Sequence, residues 1–253
     1  MNNNCYVNVI GGVGNQLFQI AAGYVYAKKY DKKLIINPHS WIAGQGTNPI
    51  EYKSTIFKNF QYGSLQGDIT PIHEKRFNYD ELPFVEGSVL LNGYFQSLKY
   101  FEEFKDEFIS LLNLPEIDNN IISEVGVHIR RGDYKYSSDT FPCVPNSYYI
   151  EALLKYFNNP TIVVSTDDWQ AVHTENLLEG YNIVPIRGSN EIEDLYLLSQ
   201  CSNLIIGNST FAWWAAILGS VKKRVIVASP WFGPAGHQDY QDIYCKDWNI
   251  LCY

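Results

Sequence analysis

The chain has 253 residues, 46 % of them hydrophobic and 18 % charged, the balance of a folded globular protein rather than a disordered one. With 19 Lys+Arg against 27 Asp+Glu the net charge is −8, which argues against a general binder of nucleic acid or anionic membrane, because such affinity rests on neutralising phosphates. Any anion has to be held by a local cluster of cations. The five cysteines, Cys5, Cys143, Cys201, Cys245 and Cys252, form no CxxC pair, so zinc-knuckle and dithiol readings fail on spacing. The opening MNNNCYVNVI has no basic leader region, and nowhere do about 18 consecutive apolar residues encode a membrane span. A soluble, cytoplasmic protein is expected. The aromatic fraction of 15 % suits cores and equally sugar-binding clefts, where an apolar ring face and a polar edge are both useful.

In chain order, residues 6–10 read as a strand, Gly11 to Gly14 break it, and residues 17–30 carry the apolar period of a helix before a strand over 34–37. Residues 41–81 hold no period and read as a long irregular region. A strand over 88–95 and a helix over 97–113 follow. Residues 114–120, with a proline, acidic residues and paired asparagines, form the best boundary, giving domains 1–115 and 116–253. Beyond it, short β-branched runs at 125–129, 161–165, 182–186, 204–207 and 224–228 alternate with helical stretches at 148–157, 169–179, 191–201 and 211–219. Alternation of this kind indicates βαβ units and a parallel sheet. The expected fold is α/β, as two Rossmann-like halves facing across a cleft.

Open parallel sheets bind ligands outside the carboxyl ends of their strands, so the residues that follow each strand are the informative ones. They are Arg130-Arg131-Gly132-Asp133, Ser165-Thr166-Asp167-Asp168, Gly207-Asn208-Ser209-Thr210 and Ser229-Pro230-Trp231. Two adjacent arginines suit a diphosphate, since the guanidinium fork matches paired phosphate oxygens. The plain alternative is an ion pair between arginine and Asp133. His128 and Arg130 share strand parity and face the same side. Asn208-Ser209-Thr210 opens a helix, where hydroxyls and N–H groups make an anion site or simply an N-cap. Asp167-Asp168 fits a sugar or base contact, a helix cap or, least of all, a metal pair. His39, His73, His173 and His237 stand alone and read as surface or hydrogen-bonded histidines. Gly11-Gly12-Val13-Gly14-Asn15-Gln16 has Leu17 where a dinucleotide fingerprint needs its third glycine, and it is no P-loop. It marks a tight turn or a close backbone approach.

Together, Gly11 to Gln19, Gly93-Tyr94-Phe95-Gln96-Ser97, the run from Val127 to Tyr134, Ser165 to Asp168, Asn208 to Trp214 and Asp242-Ile243-Tyr244 before Trp248 resemble glycosyltransferase family 11. That family contains the α-1,2-fucosyltransferases, and the similarity spans almost the whole chain. The resemblance implies a GT-B-like fold, GDP-L-fucose as donor, inversion at the anomeric carbon, and neither metal nor cofactor. It implies an N-terminal acceptor-side domain and a C-terminal domain that binds GDP-fucose. Arg130 and Arg131 would then grip the pyrophosphate, Gly14 and Asn15 would reach the donor from the N-terminal half, and Asp167 and Asp168 would lie at the nucleoside end. Asn208 would contact the donor, and Ser209 and Thr210 would meet phosphate. Arg130 is the first choice to stabilise the leaving group, while Asp133 and His128 are candidates to take the acceptor proton. Partners would be the donor and a glycan, shaped by residues 41–81 and 135–146. The alternatives are a metal-dependent transferase using Asp167-Asp168, a non-catalytic glycan-binding protein on the same fold and, weakest, a NAD-dependent oxidoreductase.

Overall fold

The computed structural model describes residues 3–41, 46–117, 125–219 and 224–253. The chain divides into two compact units, Met1–Leu114 with Gln241–Ile243, and Pro115–Tyr240 with Tyr244–Tyr253. The return of 241–243 to the first unit is not foreseen by a single cut near residue 115. Hydrogen bonds explain it: Asp242 accepts from the Lys99 ammonium at 2.7 Å and the Tyr79 N–H at 3.0 Å, and its own N–H donates to Asn78 Oδ1 at 2.9 Å.

The first unit contains strands β1 (Asn4–Asn8), β2 (Lys33–Asn37), β3 (Ile69–His73) and β4 (Ser88–Asn92), with helices α1 (Val13–Lys29) and α2 (Lys105–Leu111). Its sheet runs β2-β1-β4-β3, all parallel. Helix α1 is buried along most of its length, ends in Lys28 and Lys29 where cations suit the helix dipole, and has no room for a Cβ at Gly23, which packs on Val7.

Three expectations need correction here. The region 41–81 is not wholly irregular: it holds a 3₁₀ segment, Pro49–Ser54, and the strand β3. That strand was obscured by Pro71, which an edge strand tolerates because one side of its backbone needs no ladder partner. The helix expected over 97–113 is reduced to α2, preceded by 3₁₀ turns at Leu98–Tyr100 and Glu102–Phe104. Tyr100 and Phe101 are consecutive and both buried, so tighter local turns replace one continuous amphipathic helix. The helix expected over 169–179 stops at Thr174, because Asn176, Leu178 and Gly180 adopt positive φ while Leu177 and Leu178 both enter the core.

The second unit contains β5 (Val125–Ile129), α3 (Asn146–Tyr156), β6 (Ile162–Thr166), α4 (Trp169–Thr174), β7 (Ile183–Pro185), α5 (Glu191–Ser199), β8 (Asn203–Ile206), α6 (Thr210–Leu218), β9 (Arg224–Ser229) and β10 (Asn249–Cys252). All six strands are parallel in the order β10-β9-β8-β5-β6-β7. Counted along this unit, that is the doubly wound order of nucleotide-binding sheets, whose direction of growth reverses between β5 and β8. Strand β5 is buried at every position, as a central parallel strand covered on both faces must be. Val125, Val127 and Ile129 join a core with Tyr148, Tyr149, Leu153, Ile162, Val164 and Ile205. On the opposite face Gly126 lies against Cys201 and Leu204, both 2.8 Å from where a Cβ would stand. Gly126→Ala should therefore lower the urea-derived stability by about 1–3 kcal/mol through overpacking, and adding Cys201→Ala should restore part of it. Equal midpoints for wild type and Gly126→Ala would contradict this packing.

Candidate active site

The reversal of strand order places the carboxyl ends of β5 and β8 side by side, and the sequence delivers its polar residues there. Arg130 leaves β5 as a partly exposed guanidinium. Its Nη2 donates to Asp133 Oδ1 at 2.5 Å, its Nη1 lies 3.0 Å from Asp167 Oδ2, and its centre stands 5.2 Å from the Tyr134 ring centroid. Burial pulls the Arg130 pKa down, but Asp167 and Asp133 more than offset it, so the net shift is upward. The plain ion-pair alternative is thus realised, with two carboxylates in place of one.

The two arginines, which follow the end of β5, lie in different surroundings. Arg131 is only 3 % exposed. Its Nε donates to Glu175 Oε2 at 3.1 Å and its Nη1 to the Arg130 carbonyl at 3.3 Å. Arg131 is therefore a brace beneath the strand end, in contrast to the paired grip expected from sequence.

Asp167 ties the same turn from β6: Oδ1 accepts the Arg131 N–H at 2.8 Å, and a Cβ at Gly132 would overlap Oδ2. Asp168 caps α4, accepting the Ala171 N–H at 2.9 Å and pairing with the Lys135 ammonium at 2.5 Å. Those two bonds, Lys135 first, hold its carboxyl below the usual range. The capping alternative therefore describes Asp168, and both aspartates serve the architecture of the strand ends.

Across the reversal, the Tyr134 hydroxyl donates to the Asn208 carbonyl at 2.9 Å and its ring stacks on Phe141. The Asn208 amide donates to the carbonyls of Pro142 and Trp231 at 3.1 and 3.0 Å. Its Nδ2 thus binds protein loops. Ser209 is the N-cap of α6, yet its hydroxyl makes no capping bond, and Thr210 opens the helix. The start of α6 thus follows β8, next to β5 in the sheet, and the N–H groups of a helix start favour an anion.

His128 is 4 % exposed, with its ring 5.4 Å from that of Phe211 and no hydrogen-bond partner on Nδ1. Burial, helped by the charge of Arg130, pushes its pKa down to about 3. A ring that stays neutral so far down is a weak base and does not suit removal of an acceptor proton near neutral pH. Asp133, with its side chain 71 % exposed, remains the accessible carboxylate.

In the first unit the Gly-rich turn is held from inside. Gly11 has φ +83°, and a Cβ on Gly46 would collide with the Gly11 and Gly12 backbone. The close backbone approach expected of this turn therefore comes from Gly46. Gln16 Nε2 donates to the carbonyls of Gly11 and Thr47 at 2.9 and 2.8 Å, and Gln19 accepts the Ile10 N–H at 2.9 Å. Gly14 is buried in the first turn of α1, while Asn15 accepts at Oδ1 from Gln96 at 2.9 Å.

A feature missed in sequence lies nearby. Asn37, Asn8 and Asn92 end three adjacent strands, with Asn37 donating to Asn8 at 2.7 Å and Asn8 donating to Asn92. One asparagine closing each of three strands was the available signal. Among the described residues no group of three His, Cys, Asp or Glu side chains could hold a metal, and no helix is long and apolar enough to cross a membrane.

Fold and site define an α/β protein with a nucleotide-type sheet and an anion-favouring point at its strand reversal. The family model of glycosyl transferase family 11 matches residues 4–252, and the chain belongs to that family. It is 27 % identical to an alpha-1,2-colitosyltransferase of Escherichia coli, over 88 % of this chain and 90 % of that one. It is 25 % identical to galactoside alpha-(1,2)-fucosyltransferase 2 of Oryctolagus cuniculus, over 84 % of this chain and 66 % of the other. The solved structure of NodZ alpha-1,6-fucosyltransferase soaked with GDP-fucose is similar in fold, with a TM-score of 0.56 at 16 % identity over 91 % of this chain and 96 % of that one.

The buried histidine makes stability depend on pH. Its folded pKa of about 3 lies below the ordinary 6.5, so between those values the unfolded chain binds a proton that the folded chain does not. Its contribution is full above pH 6.5 and is lost as pH falls through that window, with a slope of at most about 1.4 kcal/mol per pH unit. His128→Gln should flatten the fall in urea midpoint between pH 6.5 and 4 relative to wild type. Parallel curves would show that His128 is not buried in its neutral form.

Proposed function

We propose that the protein transfers L-fucose from GDP-β-L-fucose to a glycan hydroxyl, inverting the anomeric centre and forming an α-1,2 linkage, with the 2-hydroxyl of a galactoside as acceptor and no metal. The observation that carries this reading is the partly exposed Arg130 at the end of β5, the strand beside β8 and the start of α6 at the β5–β8 reversal. Family membership supports it, as do the fucosyltransferase names among the relatives. Breaking the C1–O bond leaves negative charge on the departing diphosphate. Preorganised cations and N–H donors that strengthen their hold as charge develops lower that barrier. In this proposal Arg130 turns from its carboxylates to the β-phosphate, and Ser209, Thr210 and the first N–H groups of α6 take the neighbouring oxygens. Arg131 and Asp167 hold the turn rigid behind it. Asp168 orders the nucleoside end through α4, and Asn208 fixes the β8 loop. As Arg130 turns, Asp133 is released and becomes the base for the acceptor hydroxyl.

The colitosyltransferase relative favours a second donor reading, since colitose is fucose without its 3-hydroxyl. A panel of GDP- and UDP-sugars including both, read by mass spectrometry, should give transfer with GDP-fucose. Turnover confined to GDP-colitose would select the second reading, and turnover confined to UDP-sugars would exclude both. Arg130→Ala should lower turnover by about 100-fold or more with the thermal midpoint retained. Near-normal turnover in that variant would remove the mechanism. EDTA should leave the rate unchanged; a loss reversed by Mn²⁺ or Mg²⁺ would support the metal-dependent alternative. Glycan binding without GDP binding in calorimetry would identify a non-catalytic module.

A further inference from the structure

The carboxyl edge of the first unit's sheet carries a row of side chains that the chemistry above leaves unused. Asn37, Asn8 and Asn92 end β2, β1 and β4, and His73 ends β3 in register with Asn92. Asparagine is depleted in strands, so one at each of three neighbouring strand ends breaks a local rule three times in one place, and such breaks collect at functional sites. We propose that this row is a binding subsite for an uncharged pyranose. The row lies wholly within the first unit, and only the identification of that sugar with the glycan acceptor rests on the reading above.

The polarity of the row is set from its buried end. Asn37 is 5 % exposed, and its Oδ1 accepts the His39 N–H at 3.3 Å, which leaves its NH₂ to face the next strand. That NH₂ donates to Asn8 Oδ1 at 2.7 Å, and the Asn8 NH₂ in turn donates to Asn92 Oδ1. A backbone N–H cannot accept, so the direction it imposes on Asn37 passes along the row and brings the Asn92 NH₂ to the far end. Among the described residues that NH₂ meets no acceptor. Asn92 is half-buried and His73 beyond it is exposed, so a group with two N–H donors is presented where the row opens. Its backbone is fixed as well. The Asn92 carbonyl accepts the Glu74 N–H at 2.8 Å, and the Glu74 carboxylate accepts the N–H groups of Tyr94 and Phe95 at 2.7 and 2.8 Å. A donor held in this way has little freedom left to lose on binding.

Strand alternation decides what lies behind the row. Val7, Ile36, Leu91 and Ile72 stand in register on one face, all buried, with Val7 against Gly23 of α1. The asparagines and His73 share the opposite face with Ile35, Tyr6, Leu90 and Pro71, which stand side by side one step back along the strands. Ile35 and Tyr6 are buried, Leu90 is half-buried and Pro71 is exposed. The apolar strip therefore opens at the same end as the row of amides. A pyranose presents the matching pair of surfaces, C–H groups on its ring face and hydroxyls that donate and accept around its rim. Neutral amides meet those hydroxyls without the desolvation cost of ions.

The test uses the full chain labelled with ¹⁵N-asparagine, with the methyl glycosides of galactose, glucose and N-acetylglucosamine as probes. With at least one of them the side-chain NH₂ signals of Asn92 and Asn8 should shift together and saturate. The signal of Asn59, whose NH₂ donates to the Leu111 carbonyl, should stay where it is. Asn92→Ala should weaken the binding about fivefold or more with the thermal midpoint nearly kept, and the wild-type shifts decide the matter even if that variant proves unstable. Row signals that stay still with every probe, shifts that Asn59 shares, or undiminished binding by a folded Asn92→Ala would overturn the proposal. Fucosyl transfer by a protein whose row signals never move would sink the subsite and leave the transfer reading standing. Saturating shifts in a protein that turns over no nucleotide sugar would uphold the subsite and sink the transfer reading.

Discussion

The second unit depends on one carboxylate. Asp167, at the end of β6, accepts the backbone N–H of Arg131 with one oxygen and pairs with the Arg130 guanidinium through the other. Those two contacts fix both the path of the chain as it leaves β5 and the position of the cation it carries. Glycine at 132 leaves room for the second oxygen, which a Cβ there would overlap. A charge-assisted pair of this kind is shorter and stronger than a neutral hydrogen bond. The guanidinium stays partly exposed, so it is accessible to a more highly charged anion.

The division of labour between neighbouring residues follows from what encloses each: Arg130 stays partly exposed and Arg131 is buried. One arginine stands at the sheet rim. The other is enclosed by Glu175 and the Arg130 carbonyl, which supplies the partners a buried guanidinium requires. His128, on the same side of the strand as Arg130 but within β5, is buried against Phe211, where desolvation keeps the ring neutral. Tyr134 and Asn208 then link the rims of β5 and β8 through a hydroxyl and a carbonyl, so the strand reversal is bridged by bonds as well as by sheet pairing.

The first unit uses a different means to the same end. Its glycine-rich turn carries no charged group and is held by side-chain amides, with Gln16 and Gln19 bonded to backbone atoms of the turn and its flanks. Asparagines bond one to the next along the carboxyl ends of β2, β1 and β4. Neutral amides both donate and accept, so they order an oxygen-rich or hydroxyl-rich surface without the desolvation cost of ions. That chemistry is complementary to a sugar, as the guanidinium and helix start of the second unit are complementary to a phosphate.

The sequence alone settled the α/β class, the alternating strands and helices of the second half, and the four polar clusters that follow its strands, because period and β-branching are local properties read residue by residue. It also held the family signature in its Gly-rich, HIRRGD and NST runs. What depended on pairing across the chain was not legible. The edge strands at Ile69–His73 and Asn249–Cys252 carry weak periodicity. The Asp242 return is made by hydrogen bonds to Lys99 and Tyr79, far away in sequence. The different fates of Arg130 and Arg131, the neutral state of His128 and the grip of Glu74 on the 94–95 turn were decided only in three dimensions. Each is set by which distant atoms close around the residue, and composition and spacing do not encode that enclosure.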